Sequence, residues 1–286
     1  MKLIADSGST KTDWRLLGKK QSIYKYTTQG FNPYFQSSEE LSFIIKNELL
    51  PQFETPVNQS HMKIHFYGAG CGNDAKKGTV YFSLHKEFPL AEIEINSDML
   101  AAARATAGRK EGIIAILGTG ANTCFYDGDE IEQSIASLGY VLGDEGSGAH
   151  IGKTFIQAFL NKEMPKELSK RFAERFKLGK DEILDAVYKQ PNPNRFLGSF
   201  SKFIYQNLKE QFVIDLVAGC FGQFFDKQIC KYDMYKEVKL SCVGSVAFYY
   251  SNILRAVATN KGVNIETIIE SPISGLALFH QGTEND

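Results

Sequence analysis

The chain reads as an α/β protein of two domains, and three observations lead there. A short apolar run that breaks into a turn of glycines and hydroxyl residues occurs at Lys2-Leu3-Ile4-Ala5 before Asp6-Ser7-Gly8-Ser9-Thr10-Lys11-Thr12-Asp13, and again at Ile113 to Leu117 before Gly118-Thr119-Gly120. Between and after these hairpins, strand-like runs alternate with segments of helical period. A length of 286 residues also exceeds what one hydrophobic core usually serves, so two domains of roughly 110 to 170 residues are expected.

Taken in order, Leu3-Ile4 and Trp14 to Leu17 form a first hairpin, and Ser22 to Thr28 alternates as a third strand that ends at Gly30-Phe31-Asn32-Pro33. Glu39 to Leu50 carries Leu41, Ile44, Ile45, Leu49 and Leu50 at helical spacing, with Ser37 and Ser38 as candidate caps and Pro51 as the stop. A strand at Lys63 to Tyr67, a helix at about Asn73 to Glu87 and a strand at Glu92 to Ile95 follow. The polar stretch Gly108 to Glu111 marks the boundary, which divides the chain into residues 1–111 and 112–286, with a terminal helix packing back on the first domain. In the second part, Ile113 to Leu117 and Thr123 to Tyr126 pair as a hairpin, and Gly148 to Leu160 is helical. Lys166 to Phe212 reads as a helical cap broken at Pro191-Asn192-Pro193, Phe212 to Cys230 as a long buried helix, and Val238 to Cys242 as a strand.

Composition excludes several classes. With 32 basic and 33 acidic residues the formal charge is −1, which provides no broad field for nucleic acid or an anionic membrane. The five cysteines are odd in number and form no CxxC pair, against a disulfide framework or zinc ribbon. A reducing cytoplasm fits that usage, and no run approaches the roughly 18 apolar residues of a membrane span. The five histidines form no pair at ligand spacing.

Small residues let backbone N–H groups approach an anion, hydroxyls add donors, and a strand-end carboxylate can orient hydrated Mg²⁺, so both hairpins have a phosphate-loop composition. A polar hairpin turn would use the same residue types. Further glycine turns stand at Leu142-Gly143-Asp144-Glu145-Gly146-Ser147-Gly148 and at Cys242-Val243-Gly244-Ser245-Val246. In that order and spacing, the four segments resemble the N-acetylglucosamine kinase branch of the actin, Hsp70 and sugar kinase superfamily, within the group that holds the BadF-type ATPases. The resemblance spans nearly the whole chain. It implies two ribonuclease H-like (actin-like ATPase) domains around an interdomain cleft, and transfer of the γ-phosphate of ATP to a hydroxyl of an amino sugar, N-acetylglucosamine first. ATP and Mg²⁺ are the implied cofactors, a small-molecule sugar the implied partner, and a homodimer the usual assembly of such proteins.

The resemblance also assigns residues. Asp6 positions Mg²⁺ through its waters; Ser9, Thr10 and Lys11 reach the phosphates from the first loop, and Gly118, Thr119 and Gly120 from the second. Lys11 could equally be solvated. Gly244 and Ser245 with Gly275 would bracket adenine and ribose. Asn32, Gly139, Tyr140 and Asp144 fall where the family holds its sugar, although Leu138 and Tyr140 stand where a tryptophan near Gly139 is usual. Asp98, in Asn96-Ser97-Asp98-Met99, falls at the position of the family's general base; an aspartate at a helix start is also a common cap. Asn32 before Pro33 could likewise serve only the turn.

Other readings place the chain elsewhere. Gly68-Ala69-Gly70-Cys71-Gly72 follows a strand but has Asn73 where a dinucleotide fingerprint needs its third glycine. A BadF-type ATPase that activates a reductase or dehydratase would need cysteines for a shared iron–sulfur cluster, and Cys124 and Cys230 are the candidates. A nucleotide-binding regulator without chemistry would keep the loops and dispense with Asp98.

Overall fold

The computed structural model of the chain describes residues 1–8, 10–18, 22–53 and 59–282. It divides into two compact units, Met1–Gly108 with Pro272–Asp286, and Arg109–Ser271. In chain order, the first unit contributes strands β1 (Lys2–Ser7), β2 (Lys11–Leu17) and β3 (Ile23–Gln29), helix α1 (Ser38–Ile44), β4 (Lys63–Gly68), α2 (Asp74–Glu87), β5 (Glu92–Ser97) and α3 (Asp98–Thr106). The second unit follows with β6 (Gly112–Leu117), β7 (Ala121–Tyr126), β8 (Ile131–Ile135), α4 (Gly139–Leu142), α5 (Gly148–Leu160), α6 (Lys166–Phe176), α7 (Lys180–Tyr188), α8 (Pro193–Ser199), α9 (Ser201–Gln206) and α10 (Gln211–Lys227). It closes with β9 (Leu240–Val243), α11 (Ser245–Tyr249), α12 (Ser251–Asn260) and β10 (Ile265–Ile269), after which α13 (Ile273–Gly282) returns to the first unit. Among the described residues no helix is long and apolar enough to cross a membrane.

Each unit holds one five-stranded sheet, ordered β3-β2-β1-β4-β5 and β8-β7-β6-β9-β10. In both, three strands run as an antiparallel meander and the first of them pairs parallel with the fourth, which pairs parallel with the fifth. This is the ribonuclease H-like order, built twice.

The unbroken apolar run Leu3-Ile4-Ala5 is explained by burial on both faces of the first sheet. Leu3 and Ala5 join Trp14, Leu16, Ile64 and Phe66 in a core with Leu41, Ile45, Val80 and Leu84, from α1, its continuation and α2. Ile4 joins Leu17 and Tyr67 against Ala101 of α3 and Ile273, Leu276 and Ala277 of α13. A polar network accompanies α13. Arg104 donates to the Tyr67 hydroxyl (2.8 Å) and to Glu94 (3.1 Å). The Tyr67 hydroxyl also shares a hydrogen bond with Nε2 of His280 at 2.9 Å, and His65, stacked on His280 at 3.8 Å, binds Glu94 at 2.7 Å. In the second unit, Ile113, Ala115 and Leu117 of β6 pack with Phe155, Phe221 and Phe224 of α5 and α10.

Several boundaries differ from the sequence reading. The helix begun at the capping box of Ser37 and Glu40 does not stop before Pro51. It passes through a π turn, Ile45–Leu49, into a 3₁₀ turn, Leu50–Gln52, and Pro51 sits in the first turn of the latter, where a missing N–H costs little. α10 ends at Lys227, so Cys230 lies in the separate 3₁₀ turn Ile229–Lys231. The cap region is four helices, α6 to α9. Asn192 takes a left-handed φ of 57° before Pro193 opens α8.

Two stability tests follow. Gly244 has φ 121°, and a β-carbon there would collide with the Leu117 carbonyl oxygen, so Gly244→Ala should lower the thermal midpoint more than Gly219→Ala, a site in α10 with open space around it. Burial, then the neighbouring His65, pulls His280 from near 6.5 down to about 3, and Lys2, Glu94 and Arg104 also face it. The unfolded chain therefore takes up a proton below about pH 6.5 that the folded chain refuses until about pH 3, and stability falls across that window as pH drops. Chemical denaturation between pH 7 and 4 should show a shallower decline for His280→Gln, whose uncharged amide can still hydrogen-bond the Tyr67 hydroxyl.

Candidate active site

In both units the glycine-rich turns leave the carboxyl ends of the parallel strands, the edge at which open α/β sheets bind ligands. In the first, Ser7, Gly68 and Ser97 lie level in register, so the first hairpin turn, the Gly68–Gly72 turn and the start of α3 emerge side by side. In the second, Ile116, Val243 and Ile269 are level, which brings out the Gly118–Gly120 turn beside Gly244.

The first hairpin is tight, with the Gly8 N–H on the Lys11 carbonyl at 3.0 Å. Ser9 lies outside the described residues. Thr10 is exposed, and its carbonyl accepts the Gly30 N–H at 3.1 Å. Ser7 and Thr12 share a hydroxyl hydrogen bond (2.8 Å), and Ser7 also donates to the Phe31 carbonyl (3.1 Å), which ties the Asn32 loop to the hairpin. Asp6 stands opposite Asp13 on the neighbouring strand, and Lys11 forms an ion pair with Asp13 at 2.8 Å.

Asn32 does make the turn: its Oδ1 accepts the Tyr34 N–H at 3.0 Å. That oxygen lies 2.6 Å from where a β-carbon on Gly70 would stand, and Gly70 has φ 86°. Gly70 therefore serves a close approach between two loops, which accounts for it without a dinucleotide.

Asp98 is the first residue of α3, but it is not the cap. Ser97 has the extended N-cap backbone and accepts the Leu100 N–H at 3.2 Å. Asp98 Oδ1 accepts the adjacent Met99 N–H at 2.9 Å, and no side chain is seen to donate to this carboxylate among the described residues. Burial, only partly offset by backbone N–H groups, raises it to about 6. The nearby Cys71 thiol is pushed up to about 12, first by burial and then by the Asp98 charge, so it is not a nucleophile at neutral pH. Sequence reasoning missed Ser97 as the cap, although a serine between a strand and a helix is the expected signal.

In the second unit, the carbonyls of Gly118 and Thr119 accept the N–H groups of Gly148 and Ala149 at 2.8 and 3.0 Å, so the first turn of α5 holds the hairpin. The Gly118 N–H closes the turn on Gly120 at 3.0 Å. Asp144 is buried, has a left-handed φ of 54°, and accepts the Ala121 N–H at 3.3 Å beside Gly120. A non-glycine residue held there marks a site whose geometry the surroundings impose. Burial raises its carboxyl, and adjacent Glu145 adds to the rise. Gly139 and Tyr140 open α4, and the Tyr140 carbonyl accepts Lys153 Nζ at 3.2 Å. Gly244 and exposed Ser245 stand at the start of α11. Gly275 is in the first unit, within α13, where a β-carbon would strike the Ala105 carbonyl oxygen; helix packing against α3 accounts for its small size. Cys124 is buried in β7 and Cys230 is half-buried, and the described residues contain no cluster of three or more His, Cys, Asp or Glu able to hold a metal ion.

No family model matches the chain, and no curated protein does. Solved structures do. The "putative N-acetylglucosamine kinase" of Porphyromonas gingivalis is 39% identical, covers 99% of this chain and 100% of its own, and superposes with a TM-score of 0.92. A protein of the same description from Chromobacterium violaceum is 16% identical over 97% and 98% of the two chains, with a TM-score of 0.76. A ROK family glucokinase from Streptomyces griseus, solved with glucose and AMPPNP, shares the fold at 13% identity over 96% of each chain and a TM-score of 0.56. On the first of these likenesses, full-length and at 39% identity, the chain belongs to the N-acetylglucosamine kinase-like family of sugar kinases with the actin-like ATPase fold.

Proposed function

We propose that the protein transfers the γ-phosphate of ATP to a hydroxyl of an amino sugar, N-acetylglucosamine foremost, with Asp98 as the general base. One observation carries the reading: a partly buried aspartate at the carboxyl end of the first sheet, relieved of capping by Ser97 and raised to about 6. A base tuned near the working pH accepts a proton readily while remaining largely ionised. As the sugar oxygen attacks, a bond forms from that oxygen to the γ-phosphorus and the bond from phosphorus to the β–γ bridging oxygen breaks. The hydroxyl proton passes to Asp98, and ADP leaves.

Thr10 and Lys11 in the first unit, and Gly118, Thr119 and Gly120 in the second, are assigned to the phosphates, and Gly244 and Ser245 to the nucleoside. Asp6 and Asp13 present carboxylate oxygens beside the first hairpin, the hard donor type that Mg²⁺ takes. Asp6 would hold the ion through water, where it would neutralise charge on the phosphate oxygens. Asn32, Tyr140 and Asp144 are assigned to the sugar. A site built to pair sugar hydroxyls rejects analogues lacking them, because its own polar groups are then left unpaired.

A coupled assay across amino sugars with Mg·ATP tests the reading directly: ADP release dependent on N-acetylglucosamine is expected, and release indifferent to any sugar would defeat it. Asp98→Asn tests the base. Its kcat should fall on the order of 10²- to 10⁴-fold. Because burial disfavours the charged carboxylate, the folded form loses stability as pH rises through about 6. The asparagine variant should therefore melt no lower than the parent at pH 7.5, and a lower midpoint with kcat preserved would return Asp98 to a structural role. In the parent, kcat/KM should rise with pH through about 6 as the base ionises.

A further inference from the structure

His150 stands on the first turn of α5, and the kinase reading does not use it. It is 8% exposed. Its Nδ1 accepts the backbone N–H of Gly146 at 3.1 Å, so the ring proton is on Nε2. Its own N–H donates to Ser147 Oγ at 3.1 Å, making the cap of α5. Gly146, with φ 75°, also packs closely on Phe224 of α10, whose Cβ lies 2.8 Å from where a β-carbon would be. The Gly143 to Gly148 turn is thus held at Gly146 by a hydrogen bond to the imidazole and by close packing on Phe224. What it presents is Asp144, also in a left-handed conformation, whose carboxylate holds the Ala121 N–H at the base of the Gly118–Gly120 hairpin. The same helix start holds the carbonyls of Gly118 and Thr119.

We propose that His150 is a positioning residue for phosphoryl transfer: its Nδ1 acceptor locks the Asp144 turn, and through Asp144 and the first turn of α5 it sets the geometry of the second glycine hairpin. This rests on the kinase reading for its consequence and on the hydrogen-bond chain for its mechanism. The acceptor must be unprotonated. Lys153 on the same helix, Glu145 in the turn and Lys227 on α10 are the charged groups that face the ring, and burial together with Lys153 lowers its affinity for a proton. Lys227 and Glu145 also pair with each other at 3.6 Å, which tempers the influence of both.

Asparagine places an amide oxygen at the same remove from Cα as Nδ1, whereas glutamine carries its amide one bond further, toward the position of Nε2. His150→Asn should therefore keep kcat/KM for ATP within about threefold and His150→Gln should lose on the order of 10²-fold, the scale of an ångström-sized misplacement. The loss should fall on kcat, on KM for ATP through the hairpin, and on KM for the sugar through Asp144. A role in folding alone would lower the active fraction and leave both KM values in place, and that result overturns the proposal.

Amide hydrogen exchange gives a readout independent of activity. In His150→Gln the amides of Gly146, Gly148 and Ala121 should exchange faster, and in His150→Asn they should match the parent. Equal exchange in both variants, or unfolding of the asparagine variant as readily as the glutamine one, overturns the proposal. If exchange splits as expected but the parent phosphorylates no sugar, the clamp on the hairpin stands and it is the kinase reading that falls.

Discussion

The structure depends most on the burial of one strand on both faces. β1 supplies Leu3 and Ala5 to one core and Ile4 to another, and no strand of alternating polarity could occupy that place. Two-sided burial requires helices on both faces of the sheet. α1 and α2 cover one. The other is covered by α3 and by α13, brought back from the far end of the chain. The same requirement explains the polar residues that accompany α13: Tyr67 lies on the face it covers, and a buried hydroxyl needs partners, which Arg104 and His280 provide.

Central strands buried this way also fix where chemistry can be. At their carboxyl ends the chain leaves the sheet through glycine-rich turns, the two hairpins among them, and both units gather those turns there. Two aspartates stand at these edges, held by backbone N–H groups: Asp98 by Met99 and Asp144 by Ala121. Among the described residues neither has an arginine or lysine bonded to it, and burial dominates, so both carboxyls rise. Such groups weaken the fold in their charged form. Glu94 is the contrast. Surrounded by His65, Asn96 and Arg104, it is held well below the usual carboxylate range and stabilises the network around α13.

The alternating strand and helix pattern, the two glycine-hydroxyl hairpins and the helix starting at Asp98 were all legible in the sequence, because each rests on local rules: apolar period, turn chemistry and the position of a break. The family was legible too, since the order of its motifs survives in the linear chain. Strand β10 and the return of α13 were less so. Ile265 to Ile269 has too short an apolar pattern to separate strand from helix, and the placement of a terminal helix is decided by which uncovered sheet face it can bury.

Side-chain partnership was what only the tertiary structure decided. Asp98 and Ser97 are adjacent, and either could cap α3; the extended backbone of Ser97 settled it and left the aspartate for other work. The glycines of Gly68 to Gly72 partly match a dinucleotide fingerprint when read alone, yet Gly70 is small because the Asn32 loop lies against it, and Gly275 because Ala105 does. Asp144 and Ala121, or His150 and Gly146, meet through single hydrogen bonds whose geometry depends on how a helix start abuts a hairpin. The sequence by itself determined the elements and their repeated order, since those follow from local preference and periodicity. Which buried polar group faces which was decided by packing, since a hydrogen bond is specified by a few tenths of an ångström that no spacing along the chain encodes.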